Sequence, residues 1–179
     1  MEWNVVVTVD EDFDAAEEEL AALGSVARTE YFNVLVMKVE DPDAFLRDLE
    51  DRGRMVPPLL RRWLSRVEPA RHTIQFQSGD EFEERASEVI RGLAPELAGK
   101  SFHVRMHRRG FREDLDSGEE ERKLAGVVYE TLREEDLEEP SVTFDDPDAV
   151  LVVETVSNRA GISLWTREDL EEHPILRPE

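Results

Sequence analysis

Cysteine is absent from the 179 residues of this chain. Its absence excludes disulfide bonds, thiolate zinc sites, iron–sulfur clusters and cysteine nucleophiles. No apolar run reaches the roughly 18 residues of a membrane-spanning helix. The first residues, MEWNVVVTVDEDFD, lack the basic segment and the cleavage site of a secretion signal. We therefore expect a cytoplasmic protein with no membrane partner.

Lysine is also scarce. Three lysines stand against 19 arginines, and 43 acidic residues give a net charge of -21. We interpret this balance, as a hypothesis, as an adaptation to a saline cytoplasm. Because unscreened like charges destabilise a folded chain, we expect the protein to be more stable in potassium chloride than in dilute buffer.

Motifs of catalysis and cofactor binding are missing. No G-x-G-x-x-G fingerprint, Walker A loop or G-x-S-x-G elbow occurs, and the segment Gly161–Trp165 ends in tryptophan where the elbow needs glycine. We therefore expect no cofactor and no enzymatic activity.

The basic residues are concentrated in two windows of the chain. From Arg52 to His72 there are six arginines against one acid, Glu68, and from Lys100 to Arg112 there are five bases and no acid. A local excess of positive charge on an acidic chain indicates contact with a phosphate backbone, although a structural arginine cluster is the alternative. In the first window we assign a secondary basic patch to Arg61, Arg62, Arg66 and Arg71.

Apolar periodicity in the first half predicts the order βαββα. The elements are a strand at 3–9, a helix from Asp12, a hairpin of 26–31 and 33–39, and a helix from Pro42. A strand at 72–77, which could belong to either domain, completes βαββαβ, the ferredoxin-like arrangement. Residues 57–66 are then an inserted arginine-rich helix in an exposed linker. We place the first domain at 1–71.

The second domain, residues 72–179, is predicted to be a further α/β unit, so the fold class is α/β (α+β). Its elements are a helix at 82–97, a strand in SFHVRMHRRG, a helix that Ser117 and Glu120 begin as a capping box, and strands at 142–144, 150–156 and 161–165. The strand at 150–156 is apolar enough to lie centrally in a sheet.

The strand in SFHVRMHRRG has two different faces. Apolar Phe102, Val104 and Met106 alternate with polar side chains that we expect to face solvent. We predict that the second basic window binds RNA. The predicted contacts are Lys100, His103, Arg105, His107, Arg108, Arg109 and Arg112.

Three other patterns have simpler explanations. His103 and His107 are spaced as metal ligands on a helix, but on a strand four residues span about 13 Å, too far to share one ion. The acidic residues around Pro147 could hold magnesium, yet Asp-Pro-Asp between strands is first a turn. Trp63 and Trp165 could stack on bases, although core packing is favoured for Trp165. We predict no metal site.

Three segments together resemble the THUMP domain over residues 72 to 179. They are SFHVRMHRRGF, the following S-x-x-E helix, and FDDPDAVLVVETVSNRAGISLW. The resemblance implies binding of tRNA, generally at the acceptor end, within enzymes that thiolate, methylate or pseudouridylate tRNA. It also implies a preceding ferredoxin-like domain, in agreement with the predicted order of the first half.

A catalytic domain is expected to be supplied by another chain, since the sequence ends at Glu179 without room for one. In organisation the chain is similar to the adaptor of tRNA cytidine acetylation. We therefore expect a non-catalytic accessory factor that binds tRNA and delivers it to a modification enzyme in trans. The alternative is an acidic protein-protein adaptor whose THUMP fold does not bind RNA.

Overall fold

The computed structural model describes residues 1–178, which divide into two units. The first unit comprises Met1–Arg71 with His173–Arg177, and the second comprises His72–Glu172 with Pro178. The segment 173–177 groups with the first unit, where His173 Nδ1 lies 2.8 Å from Oε1 of Glu50, whereas the sequence predicts that it belongs to the second domain. No helix in the described part of the chain is long and apolar enough to cross a membrane.

The first unit has the predicted βαββαβ order. Its elements are β1 (Val5–Val9), α1 (Phe13–Ala21), β2 (Ser25–Arg28), β3 (Val34–Lys38), α2 (Pro42–Met55) and β4 (Leu64–Pro69). The strands form one antiparallel sheet in the order β2-β3-β1-β4. Helix α2 begins at Pro42, as predicted, and the side chain of the N-cap Asp41 accepts hydrogen bonds from the N–H groups of Asp43 and Ala44.

The last strand of this sheet differs from the prediction. Residues 64–69 form it, with buried Val67 opposite Val7 of β1. The predicted arginine-rich linker helix shrinks to a single helical turn at Leu59–Trp63, after which the chain enters the sheet. The predicted closing strand at 72–77 belongs instead to the second unit. Residues 64–69 form the last strand of the first sheet because they pair with β1 and bury the apolar side chain of Val67 there.

The second unit is a five-stranded mixed sheet with helices. Its elements are β5 (His72–Gln75), α3 (Gly79–Leu93), β6 (Ser101–His107), α4 (Ser117–Glu134), β7 (Ser141–Val142), β8 (Ala149–Val156), β9 (Arg159–Thr166) and α5 (Arg167–Glu172). The strand order is β5-β9-β8-β6-β7, in which β6 is parallel to both β7 and β8. The central place predicted for β8 is confirmed, and so is the α/β fold class.

Both faces of the central strands are buried. On one face Phe102, Leu151 and Ile162 belong to the core that α3 and α4 complete. On the other face Val152 of β8 and Trp165 of β9 are also buried. Trp165 is therefore a core residue, as favoured from the sequence. Strands covered on both faces read as continuous apolar runs, which is the character of β8.

The N-cap of α4 differs from the predicted one. Asp116, and not Ser117, is the N-cap, and its carboxylate accepts a hydrogen bond from the N–H of Glu119. The predicted capping box of Ser117 and Glu120 is wrong, because the Glu120 side chain is buried toward α3 beside Lys123 and Glu83.

Candidate functional site

His103 lies inside the second unit, since only 3% of it is exposed. Its Nδ1 is 3.1 Å from the carbonyl oxygen of Thr143, and its ring centroid is 5.0 Å from that of Phe144. The alternation of β6 is as predicted, but the expectation that its polar face is open to solvent is wrong for His103. The reason is that β6 lies within a sheet covered on both faces.

His107, at the end of β6, is half-buried, and its Nε2 lies 3.3 Å from the carbonyl oxygen of Pro178. The two histidines thus have separate backbone partners. Within residues 1–178, no group of three side chains is arranged to hold a metal ion.

Arg109 forms a buried ion pair. Its Nη1 donates to Oε2 of Glu154 across 2.5 Å, and the two side chains are 15% and 2% exposed. Its N–H also donates to the Thr155 hydroxyl at 2.9 Å. Because a buried carboxylate needs a cation or hydrogen bonds to compensate for lost hydration, Arg109 acts as the partner of Glu154. The solvent-facing position expected for Arg109 is therefore corrected. A glutamate within the apolar run of β8 was the sequence signal of this pair.

Four other bases of the second window remain available to a ligand. They are Lys100, Arg105, Arg108 and Arg112. Among the described residues, no carboxylate oxygen lies within 4.0 Å of their charged nitrogens, the limit for an ion pair. Lys100 and Arg112 are exposed, and Arg105 is half-buried on β6. Arg108 donates from Nη1 to the carbonyl oxygen of Gly110 at 2.7 Å, which leaves its charge uncompensated.

The first basic window is largely neutralised by acids, most of which are distant in sequence. Arg62 pairs with Glu11 at 2.6 Å, and Arg71 pairs with Asp43 at 2.9 Å. Upstream in the same window, Arg52 pairs with Glu19 at 2.5 Å and Arg54 pairs with Asp51. Arg66 is half-buried on β4 and also engaged in an interaction. Of the predicted secondary patch, Arg61 is the one residue that has no such partner in the described part of the chain.

The acidic residues around Pro147 serve the structure of the loop. The Ser101 N–H donates to Oδ2 of Asp148 at 2.9 Å, and hydrogen bonds from Ser101 hold the pKa of Asp148 below its usual range. Arg167 lies 3.4 Å from Asp146 and 3.5 Å from Asp148. This arrangement matches the interpretation as a turn with side chains bonded to nearby groups.

A cluster of titratable side chains, Glu83, Glu120 and Lys123, joins α3 and α4. Lys123 Nζ donates to Glu83 at 2.5 Å and to Glu120 at 3.3 Å. Burial raises the pKa of Glu120 to about 7, and the neighbouring Glu83 carboxylate raises it in the same direction. The hydrogen bond from Lys123 holds the pKa of Glu83 below its usual range. The cluster is structural, and it makes stability depend on pH.

Comparison with known families identifies the second unit. The model of the THUMP domain matches residues 77–164. These residues include β6, the following loop, and the cations Lys100, Arg105, Arg108 and Arg112. THUMP domains are associated with RNA binding in tRNA modification enzymes. Among curated proteins, no sequence matches this chain.

Three solved structures share the fold at low sequence identity. PH1313 of Pyrococcus horikoshii has a TM-score of 0.60 at 16% identity, over 90% of this chain and 53% of that one. TrmN of Thermus thermophilus has a TM-score of 0.59 at 19% identity, over 90% of this chain and 44% of that one. A 4-thiouridine synthetase, solved as an RNA complex with bound ATP, has a TM-score of 0.56 at 15% identity, over 92% and 41%. The chain thus spans about half of these structures or less.

Proposed function

We propose that this chain, in which residues 77–164 form a THUMP domain, binds tRNA as a non-catalytic accessory factor for a tRNA modification enzyme. The enzyme is supplied by another chain, and the tRNA acceptor end is the region bound. The RNA complex of the 4-thiouridine synthetase, which shares this fold, supports RNA as the class of ligand.

The unpaired basic side chains of the second window support particular residues as the RNA contacts. Within an acidic protein of net charge -21, Arg105, Arg108 and Arg112 have no carboxylate at ion-pair distance among the described residues, and exposed Lys100 has only a longer-range electrostatic interaction with Asp148. Maintaining uncompensated cations is useful when a polyanion neutralises them, because each phosphate contact releases counterions and adds affinity. These four residues are the proposed phosphate contacts. His103, His107 and Arg109 hold the strand and the loop in place.

Filter binding of tRNA tests the proposal. Wild type should bind tRNA at low salt, and Arg112→Ala should weaken binding about 3- to 10-fold, because one phosphate contact is lost. Arg62→Ala is the matched control, since that arginine is exposed but already paired with Glu11, and its tRNA affinity should be unchanged. Binding by the Arg112 variant equal to wild type would count against the assigned residues.

The alternative is an acidic protein-protein adaptor. The observation that favours it is the pairing of most first-window arginines with carboxylates, which leaves little positive surface there. A folded wild-type protein that binds no tRNA at low or moderate salt would replace RNA binding with this adaptor role.

A further inference from the structure

A groove lies between α4 and the short edge strand β7 in the second unit. It has a volume of about 520 Å³, and Val104, Gly126, Tyr129 and Phe144 contribute to its walls. The groove exists because β7 pairs with only two residues of β6, so the rest of that edge has no neighbouring strand. Its volume is within the range of sites that bind small ligands or single chemical groups.

One wall of the groove is an exposed aromatic ring. Phe144 is 63% exposed, yet the His103 ring lies beside it at 5.0 Å with an interplanar angle of 34°. The preceding Thr143 donates its N–H to the carbonyl oxygen of Phe102 at 3.0 Å. The Thr143 hydroxyl accepts a hydrogen bond from the Asp145 N–H at 3.2 Å. The backbone next to Phe144 is therefore fixed by hydrogen bonds, which lowers the conformational entropy lost when a ligand stacks on the ring.

The opposite wall, on α4, has a cation without a partner. Arg122 lines the groove, is exposed, and has no ion pair or hydrogen bond among the described residues. The neighbouring Glu121 carboxylate also lines the groove, and its Oε1 accepts the N–H of Met106 at 2.9 Å rather than pairing with Arg122. At Gly126 the helix surface is bare, because a Cβ there would meet nothing within 4 Å. A flat group can therefore approach the helix closely.

We propose that this groove binds an unpaired nucleotide of RNA, with its base stacked on Phe144 and a phosphate bound by Arg122. The proposal rests on the proposed RNA-binding function and adds a second contact region to it. An exposed aromatic face together with an uncompensated arginine is what single-stranded RNA recognition uses. An apolar peptide would fill the groove without using the charge of Arg122.

The test compares RNA hairpins that differ only in unpaired nucleotides: a blunt hairpin with a tight loop, the same hairpin with a 3′ extension, and the same hairpin with an enlarged loop. Phe144→Ala should weaken binding of an RNA with unpaired nucleotides about 10-fold and leave the blunt hairpin unaffected. The two unpaired forms distinguish strand ends from loops as the source. Arg122→Gln should weaken the same RNA by a few-fold.

Matched controls are available on the same chain. Phe32 is 90% exposed and lies in the first unit, so Phe32→Ala should leave every affinity unchanged. Arg91 is an exposed arginine on α3, and Arg91→Gln is the matched control for Arg122→Gln. A 2-aminopurine base in the unpaired segment provides a direct signal. Its fluorescence should be quenched by wild type and not by Phe144→Ala.

The outcomes separate a failure of the groove inference from a failure of the proposed RNA binding. If wild type binds these RNAs and Phe144→Ala binds them equally well, the groove inference is overturned while RNA binding stands. If no RNA binds to folded wild type, the proposed function fails and the inference fails with it. If Phe144→Ala leaves RNA affinity unchanged but abolishes a complex with a modification enzyme, the groove is a protein-docking surface and the inference is overturned.

Discussion

At the scale of single residues, the Arg109–Glu154 pair separates structural cations from ligand-binding ones. Arg109→Ala would leave the 2%-exposed Glu154 carboxylate without its cation. Removing one partner of a buried ion pair costs about 3 kcal/mol or more. We expect the free energy of unfolding, measured in urea, to fall by that amount.

Arg112→Ala is the natural comparison, since Arg112 is exposed and unpaired within the described residues. Its unfolding free energy should stay within about 0.5 kcal/mol of wild type. Replacing both members of the buried pair by methionine should recover most of the stability lost in Arg109→Ala. An Arg109→Ala protein as stable as wild type would refute the structural role.

Glu120 makes stability depend on pH in a direction opposite to that of most carboxylates. Burial raises its folded-state pKa to about 7 from the ordinary 4.5. The folded state therefore holds the proton more tightly, so the stability contribution is complete below about pH 4.5 and is lost as the pH rises to about 7. Glu120→Gln mimics the protonated side chain.

We expect Glu120→Gln to be more stable than wild type at pH 8, by on the order of 2 kcal/mol, and equal to it near pH 4.5. Urea unfolding of both proteins at the two pH values measures the difference. A variant that is less stable at pH 8 would mean that the ionised Glu120 stabilises the fold through Lys123.

The residue alternation on β6 was predictable, but the surroundings of each side chain were not. The period of two correctly assigned Phe102 to the core, because neighbouring side chains on a strand must point to opposite faces. Whether the other face meets solvent depends on strand order, and β6 pairs with β8, 47 residues further along the chain. The burial of His103 follows from that pairing.

At the scale of elements, the β6 strand and its following loop are expected to determine the salt dependence of tRNA binding. With four phosphate contacts, the slope of log affinity against log salt should be roughly -3. Mutating both Arg108 and Arg112 to alanine should flatten the slope by about 2. The double variant Arg61→Ala with Arg62→Ala, from the first window, should keep the wild-type slope. Equal slopes in all three proteins would contradict the assignment.

The order of the elements was predictable except at β4 and at α5, the short helix Arg167–Glu172 that follows the last strand. Strands β1 and β8 are recognisable as apolar runs, and α1 and α2 have helical spacing with Asp or Pro at their starts. Residues 64–69 contain Arg66 and Glu68 between short apolar residues, so their pattern resembles a charged linker. Pairing with β1 decides their conformation, and tertiary contacts of this kind override local pattern.

At the scale of the whole molecule, a net charge of -21 predicts a dependence of stability on salt. Salt screens repulsion among exposed carboxylates, and screening acts over about 10 Å at 0.1 M. We expect the melting temperature to rise as potassium chloride is added. A melting temperature independent of potassium chloride would remove the hypothesis of a saline milieu.

The two basic windows look alike in sequence and differ in three dimensions. Arg62 meets Glu11, 51 residues away, whereas Arg112 meets no carboxylate among the described residues. Counting charges along a sequence cannot detect such pairing, because folding brings distant acids to the arginines. The central claim is therefore that the second window, and not the first, contacts tRNA.

Arginine modification with phenylglyoxal, mapped by mass spectrometry with and without saturating tRNA, tests this claim most directly. Arg61 serves as the internal control, since it is exposed and unpaired among the described residues of the first window. We predict that tRNA protects Arg108 and Arg112 and leaves the reactivity of Arg61 unchanged. Protection of Arg61 without protection of Arg108 and Arg112, or no protection at all, would mean that the second window does not contact tRNA.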